Sequence, residues 1–131
     1  GSTKYLEKYG IPKTTNDLNN HRFISFGKGA PSPVFNPDWA LKLGNKDNKK
    51  RKPIMKVNSV MGLLLAVESG VGLAALPDYL VSQSQNVIKV LSKSEGPITE
   101  AHFVYPQSLK NVARVQAFRN FLYSKLSETK F

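Results

Sequence analysis

The chain has 131 residues, with 19 Lys or Arg against 9 Asp or Glu, a net charge of +10 and no cysteine. That is one domain's length, enough to bury roughly two thirds of the unfolded surface, and the 40% hydrophobic and 10% aromatic content excludes a disordered chain. The longest apolar run, Val60 to Val67, is far shorter than the ~20 residues of a bilayer crossing, and the lack of cysteine excludes disulfide scaffolds, Cys-zinc and iron–sulfur sites and thiol nucleophiles, in keeping with a reducing compartment.

The Gly1-Ser2 opening reads as a cloning remnant with no charged and apolar leader behind it. Tyr5-Leu6-x-x-Tyr9 predicts a short helix that stops at Gly10, with Pro12 confirming the break. Thr14 or Thr15 can cap a second turn through Leu18, and Arg22 to Phe26 predicts a strand ending at Gly27-Lys28-Gly29. Three prolines make Ala30 to Asp38 a loop. Trp39-x-Leu41-x-Leu43 and Ile54 to Val57 then predict two strands of a hairpin-like unit, joined by a basic tip.

Between Asn45 and Lys56, six basic residues face only Asp47, which is half of the net charge of +10. The run lacks interleaved aromatic residues for base stacking and a helix to enter a groove, so it reads as a solvated loop ahead of a phosphate or polyanion contact. The next element is the strongest in the chain. Asn58 or Ser59 can cap a helix with Val60, Leu63, Leu64 and Val67 on one face, and Gly70 ends it. Val71 to Leu76 predicts a strand covered on both faces, Asp78 opens a short helix, Val87 to Leu91 and Ile98 to Tyr105 predict strands, and Val112, Val115, Phe118, Leu122 and Leu126 mark a closing amphipathic helix.

Catalytic signals are thin. Gly70-x-Gly72-x-x-Ala75 matches a relaxed dinucleotide fingerprint, but it follows a helix and opens a strand, the reverse of what that loop requires. His21 and His102 have no second ligand at metal spacing, the acidic residues are scattered singly, and no serine lies in a nucleophile turn. The residues therefore predict no enzyme, no metal and no cofactor. What remains is binding. A helix head at Asn58-Ser59 and a glycine-rich strand end at Phe26-Gly27-Lys28 can form half of an anion-binding cleft, or simply cap and turn.

The succession Tyr5-Leu6-x-x-Tyr9-Gly10, Asp17-Leu18-x-x-His21-Arg22-Phe23-Ile24-x-Phe26, Trp39-x-Leu41, Lys56-Val57-Asn58-Ser59, Ala66-Val67-x-x-Gly70-Val71-Gly72-Leu73-Ala74-x-Leu76-Pro77-Asp78-Tyr79-Leu80, Val104-Tyr105-Pro106 and Arg114-Val115-x-Ala117-Phe118-x-x-Phe121-Leu122 resembles the effector-binding domain of LysR-type transcriptional regulators. The resemblance implies an α/β fold of the type-2 periplasmic-binding-protein kind, Rossmann-like in each half, with a small-molecule inducer between two subdomains. It implies that residues 3–97 are the second regulatory subdomain and residues 98–131 the returning strand and C-terminal helix of an incomplete first one. Its inducer contacts match Phe26, Gly27 and Lys28, and Asn58 and Ser59, with Lys28 suited to a carboxylate.

The same resemblance implies a cytoplasmic regulator that reaches DNA through an N-terminal winged helix-turn-helix not present in this chain and forms dimers or tetramers, with no membrane partner. With its usual sheet mostly missing, the closing helix is expected to self-associate through Val115, Phe118, Leu122 and Leu126. Two rival readings are a transporter's solute-binding protein and a direct nucleic-acid binder that uses the basic segment.

Overall fold

The computed structural model describes residues 1–27, 38–45, 49–98, 100 and 102–128. They divide into two compact units, Gly1–Thr99 and Glu100–Phe131. The first unit opens with α1, Thr3–Tyr9, capped by the Ser2 hydroxyl, which accepts the Tyr5 amide at 3.4 Å. Gly10 ends it at φ 83°, a conformation glycine adopts without penalty. Ser2, expected to be a cloning remnant, is 1% exposed and bridges to Val87.

A 3-10 turn at Asp17–Asn20 leads into strand β1, Ile24–Phe26. Helix α2 follows at Trp39–Lys42, then strand β2 at Met55–Val57 and helix α3 at Val60–Glu68. The hairpin expected from the sequence does not form. Trp39 to Leu43 is a helical turn in which only Leu41 is buried, and Ala, Leu and Lys favour that geometry. β2 instead pairs in parallel with β1, in the register Ile24↔Met55, Ser25↔Lys56 and Phe26↔Val57. Ser59 caps α3 by accepting the Gly62 amide at 3.3 Å, and Gly70 closes it at φ 79°.

The strand expected at Val71 to Leu76 contracts to a single parallel bridge, Phe23↔Leu73, on the other edge of β1. Two bonds make it: the Leu73 amide donates to Arg22 O and the Ile24 amide to Leu73 O, each at 2.8 Å. Helix α4 covers Asp78–Val81. Val87 to Leu91 likewise yields one antiparallel bridge, Ser2↔Val87, rather than a strand.

Alternation along β1 sends successive side chains to opposite faces, so the sheet carries two cores. Phe23 and Leu73 pack with Tyr5, Leu6, Leu18 and Leu41, which brings α1, the 3-10 turn and α2 onto one face. Ile24 packs with Leu63, Ala66 and Val67 of α3 on the other. Both faces of a parallel sheet are thus covered, and each fully buried large side chain contributes about 1.5–3 kcal/mol.

The second unit holds a 3-10 turn at Gln107–Leu109 and helix α5, Ala113–Glu128. The described residues from Ile98 to Tyr105 form no strand. Helix α5 has no buried residue; Phe118 and Leu126 of its expected apolar face are 52% and 55% exposed, and Phe118 meets only Phe103 edge-on at 5.6 Å among ring contacts of the described residues.

Candidate functional site

Parallel pairing fixes where the sequence-derived site residues lie. β1 and β2 run in the same direction, so their carboxyl ends emerge side by side, and the Gly27 amide extends the ladder by donating to the Val57 carbonyl at 2.6 Å. Asn58 and Ser59 follow Val57 directly and head α3. Phe26 and Gly27 are therefore brought beside Asn58 and Ser59, at the edge where open α/β sheets present ligand sites. Lys28 lies outside the described residues.

The chemistry of this end is that of a binding surface. Phe26 and Gly27 are half-buried, whereas Asn58 and Ser59 are exposed. The Ser59 hydroxyl is committed to Gly62, and Ser59 O takes the Leu63 amide at 2.9 Å. Helix geometry supplies no acceptor for the amides of Val60 and Met61, which leaves donors and the positive dipole end facing outward. The Asn58 carboxamide makes no hydrogen bond among the described residues, so it can reach a bound group. Backbone amides, a carboxamide and an aromatic ring can bind and orient an anion.

A buried polar tie supports β1 from its other face, and the sequence reading missed it. Ser25, 2% exposed, donates from Oγ to Asp38 Oδ1 at 2.7 Å, while Asp38 Oδ2 pairs with Lys50 Nζ at 2.8 Å. The Lys50 hydrogen bond, followed by the Ser25 bond and the nearby Lys50 and Lys56 charges, holds the Asp38 carboxyl below the usual carboxylate range against the opposing effect of burial. Both flanks of residues 28–37 are thus anchored, Gly27 to Val57 and Asp38 to Ser25. A serine between two apolar strand positions was the available signal.

In the basic segment Lys49, Lys50, Lys52 and Lys56 are exposed, as a solvated loop requires, and Lys46 and Asp47 lie outside the described residues; Arg51 alone among the described basic residues there departs from that reading. Arg51 donates to Asn19 Oδ1 at 2.8 Å, Leu43 O at 2.7 Å, Leu41 O at 3.4 Å, and Thr15 O and Asn45 Oδ1 at 3.2 Å each. These bonds tie the 3-10 turn, α2 and the lead into β2 together. Burial lowers its basicity, and its guanidinium lies 5.7 Å from the Phe23 ring centre. The two glycines of the relaxed fingerprint are structural: Gly70 takes its positive φ, and Gly72 lets the bridge approach Arg22.

His21 Nδ1 meets the Tyr5 hydroxyl at 3.3 Å, and His102 Nε2 lies 3.6 Å from Glu100. Among the described residues no three His, Cys, Asp or Glu come together as a metal site, and no helix is long and apolar enough to cross a membrane.

The family model of the LysR substrate binding domain matches residues 2–127. The chain belongs to this family. A relative from Haemophilus influenzae, named as an uncharacterized HTH-type transcriptional regulator, is 30% identical over 109 residues, 80% of this chain and 36% of that protein. An HTH-type transcriptional regulator from Xanthomonas campestris is 28% identical over 130 residues, covering 96% of this chain and 38% of its own length. The chain therefore spans a little over a third of these curated relatives.

The regulatory domain of CrgA, a LysR-type transcriptional regulator from Neisseria meningitidis, superposes with a TM-score of 0.64 at 24% identity, over 96% of this chain and 62% of that one. The LysR domain fold is periplasmic-binding-protein-like, and the parallel β1–β2 pair with helices on both faces is an incomplete α/β module of that kind.

Proposed function

We propose that this chain is the effector-sensing part of a LysR-type transcriptional regulator, and that it binds a small anionic inducer at the carboxyl ends of β1 and β2. The observation that carries the reading is the Gly27–Val57 bond, which gathers Phe26 and Gly27 against the head of α3. Amide donors and the helix dipole favour a carboxylate there, and Lys28 adds a cation from the adjoining position. The regulator names of both curated relatives support this reading over a transporter's solute-binding protein.

In this proposal residues 3–97 form the second regulatory subdomain, and residues 98–131 form the returning strand and C-terminal helix of the first. The inducer lies between the subdomains, acts by binding rather than catalysis, and favours one subdomain geometry over another. A homo-oligomer passes that change to DNA in the cytoplasm through a winged helix-turn-helix outside this chain.

The test is inducer binding by the full-length regulator. Lys28→Ala weakens a carboxylate inducer about tenfold, the loss of one charge-assisted contact; unchanged affinity removes Lys28 from the site. Reading the parent gene upstream of Thr3 tests the wider proposal. A winged helix-turn-helix followed by a long amphipathic helix supports it, and a cleavable apolar leader contradicts it.

A further inference from the structure

A second recess lies at the opposite end of the strand pair. The 3-10 turn precedes β1 and residues 49–54 precede β2, so Asn16, Asn19, Asn45, Lys49 and Arg51 gather toward the amino ends of the strands. They line an open cavity of about 450 Å³, within the size range of small-molecule sites. Of its seven described lining residues, three are cationic, three are asparagines and none is acidic.

Among the described residues, no acidic side chain pairs with Arg51. Its five hydrogen bonds match its five N–H donors, and every acceptor is a neutral carbonyl or carboxamide oxygen. The guanidinium's donors are thus all taken, but its charge still adds a positive field to the recess. Lys50 is neutralised by Asp38. Lys49 Nζ makes no hydrogen bond or ion pair among the described residues, and neither do the Asn16 carboxamide or Asn19 Nδ2. These groups are free to donate to an incoming anion. Because Arg51 already holds Asn19 Oδ1, the amide nitrogen of Asn19 is the end left for a ligand.

We propose that this recess is a second small-molecule site, separate from the β1–β2 carboxyl end, that takes a compact oxyanion such as a carboxylate or phosphate group. Arg51 supplies the standing charge, and Lys49, Asn16 and Asn19 supply the contacts. The site does not depend on the inducer reading above. An extended polyanion is the less suitable occupant, since no aromatic side chain is among the described lining residues and Lys50 is already paired.

The test uses the 131-residue chain and two probes, inorganic phosphate and acetate, titrated at constant ionic strength against sodium chloride while backbone and asparagine side-chain amide signals are followed. Lys49→Gln and Asn16→Asp serve as variants, because both positions are exposed and their side chains hold no structural bond; an unchanged amide spectrum elsewhere verifies their fold. The expected result is saturable movement at Asn16, Asn19 and Asn45 with at least one probe, weakened about fivefold or more by Lys49→Gln and abolished by Asn16→Asp. Tighter phosphate binding identifies a phosphate site, and tighter acetate binding a carboxylate site. The proposal is overturned if chloride moves the same signals equally, if both variants respond like the parent, or if only a DNA oligonucleotide binds, with affinity collapsing as salt is raised.

Discussion

Gly72 lies so close to Arg22 that a Cβ on it would be 2.6 Å from the Arg22 carbonyl oxygen. That oxygen accepts the Leu73 amide, so the contact and the bridge flanking β1 are one feature. Backbone cannot swing aside as a flexible side chain can. Gly72→Ala is expected to cost about 2–3 kcal/mol through forced displacement in a packed site, and to lower the urea midpoint accordingly. An unchanged midpoint would show that the bridge tolerates separation.

Arg51 is expected to behave as a structural residue despite its place in a lysine run. Arg51→Met removes five hydrogen bonds that join the 3-10 turn, α2 and the lead into β2, at a cost of about 2 kcal/mol after water replaces some of them. Arg51→Lys restores the charge but not the planar fork, so most of that loss should remain. Full recovery by lysine in thermal unfolding would reduce Arg51 to a surface charge.

The stability of α1 should depend on His21. The buried Tyr5 hydroxyl accepts the Arg22 amide at 2.8 Å and can pass its own proton to His21 Nδ1 only while that nitrogen is unprotonated. Burial lowers the His21 pKa from its ordinary 6.5, with the Asp17 charge opposing. Between 6.5 and that lower folded value the unfolded chain holds more protons, so stability rises with pH. It is lost as pH falls below 6.5 and levels off beneath the folded value. Urea titrations at pH 7.5 and 5 should reveal this slope, and His21→Asn should flatten it. Asp17, held low by the Thr14 and Lys13 amides, loses its contribution in a separate window below 3.8. A slope that persists in His21→Asn would assign the effect elsewhere.

Helix α5 is expected to self-associate. Phe118 and Leu126 stand more than half exposed, and apolar area of that kind gains about 25 cal/mol per Å² when covered. Light scattering at micromolar concentration should return a dimer or larger, and Phe118→Glu with Leu126→Glu should return a monomer. A monomeric parent chain with a cooperative melt would contradict this.

Much of the fold was legible where the determinants are local. Ser59, the Leu63–Leu64–Val67 face and Gly70 mark α3 by cap, period and stop, and the structure uses each of them so. Trp39-x-Leu41-x-Leu43 misled because one helical turn is too short to express a period, and alternation over five residues fits either geometry. The parallel register of β1 with β2 joins residues about thirty apart, a non-local choice that neither segment records. The strands expected after Gly70 are single bridges in the structure, because strand state belongs to pairs and an apolar run does not record how far its partner follows it.

For the candidate site, Phe26, Gly27, Asn58 and Ser59 were legible as a strand end and a helix head. Their adjacency rests on the pairing. Arg51 and the Ser25–Asp38 tie stayed hidden, since a run of basic residues does not distinguish the one whose five donors are saturated, and a buried serine resembles any strand alternation.

The most direct test of the central claim is amide chemical-shift mapping on this chain with a panel of small carboxylates, followed to saturation for the first compound that raises the melting temperature. With the inducer at the carboxyl ends of β1 and β2, the amides of Gly27, Asn58, Ser59, Val60 and Met61 are expected to move together along one binding curve. Saturable binding that leaves all five unmoved would place the inducer elsewhere and contradict the account.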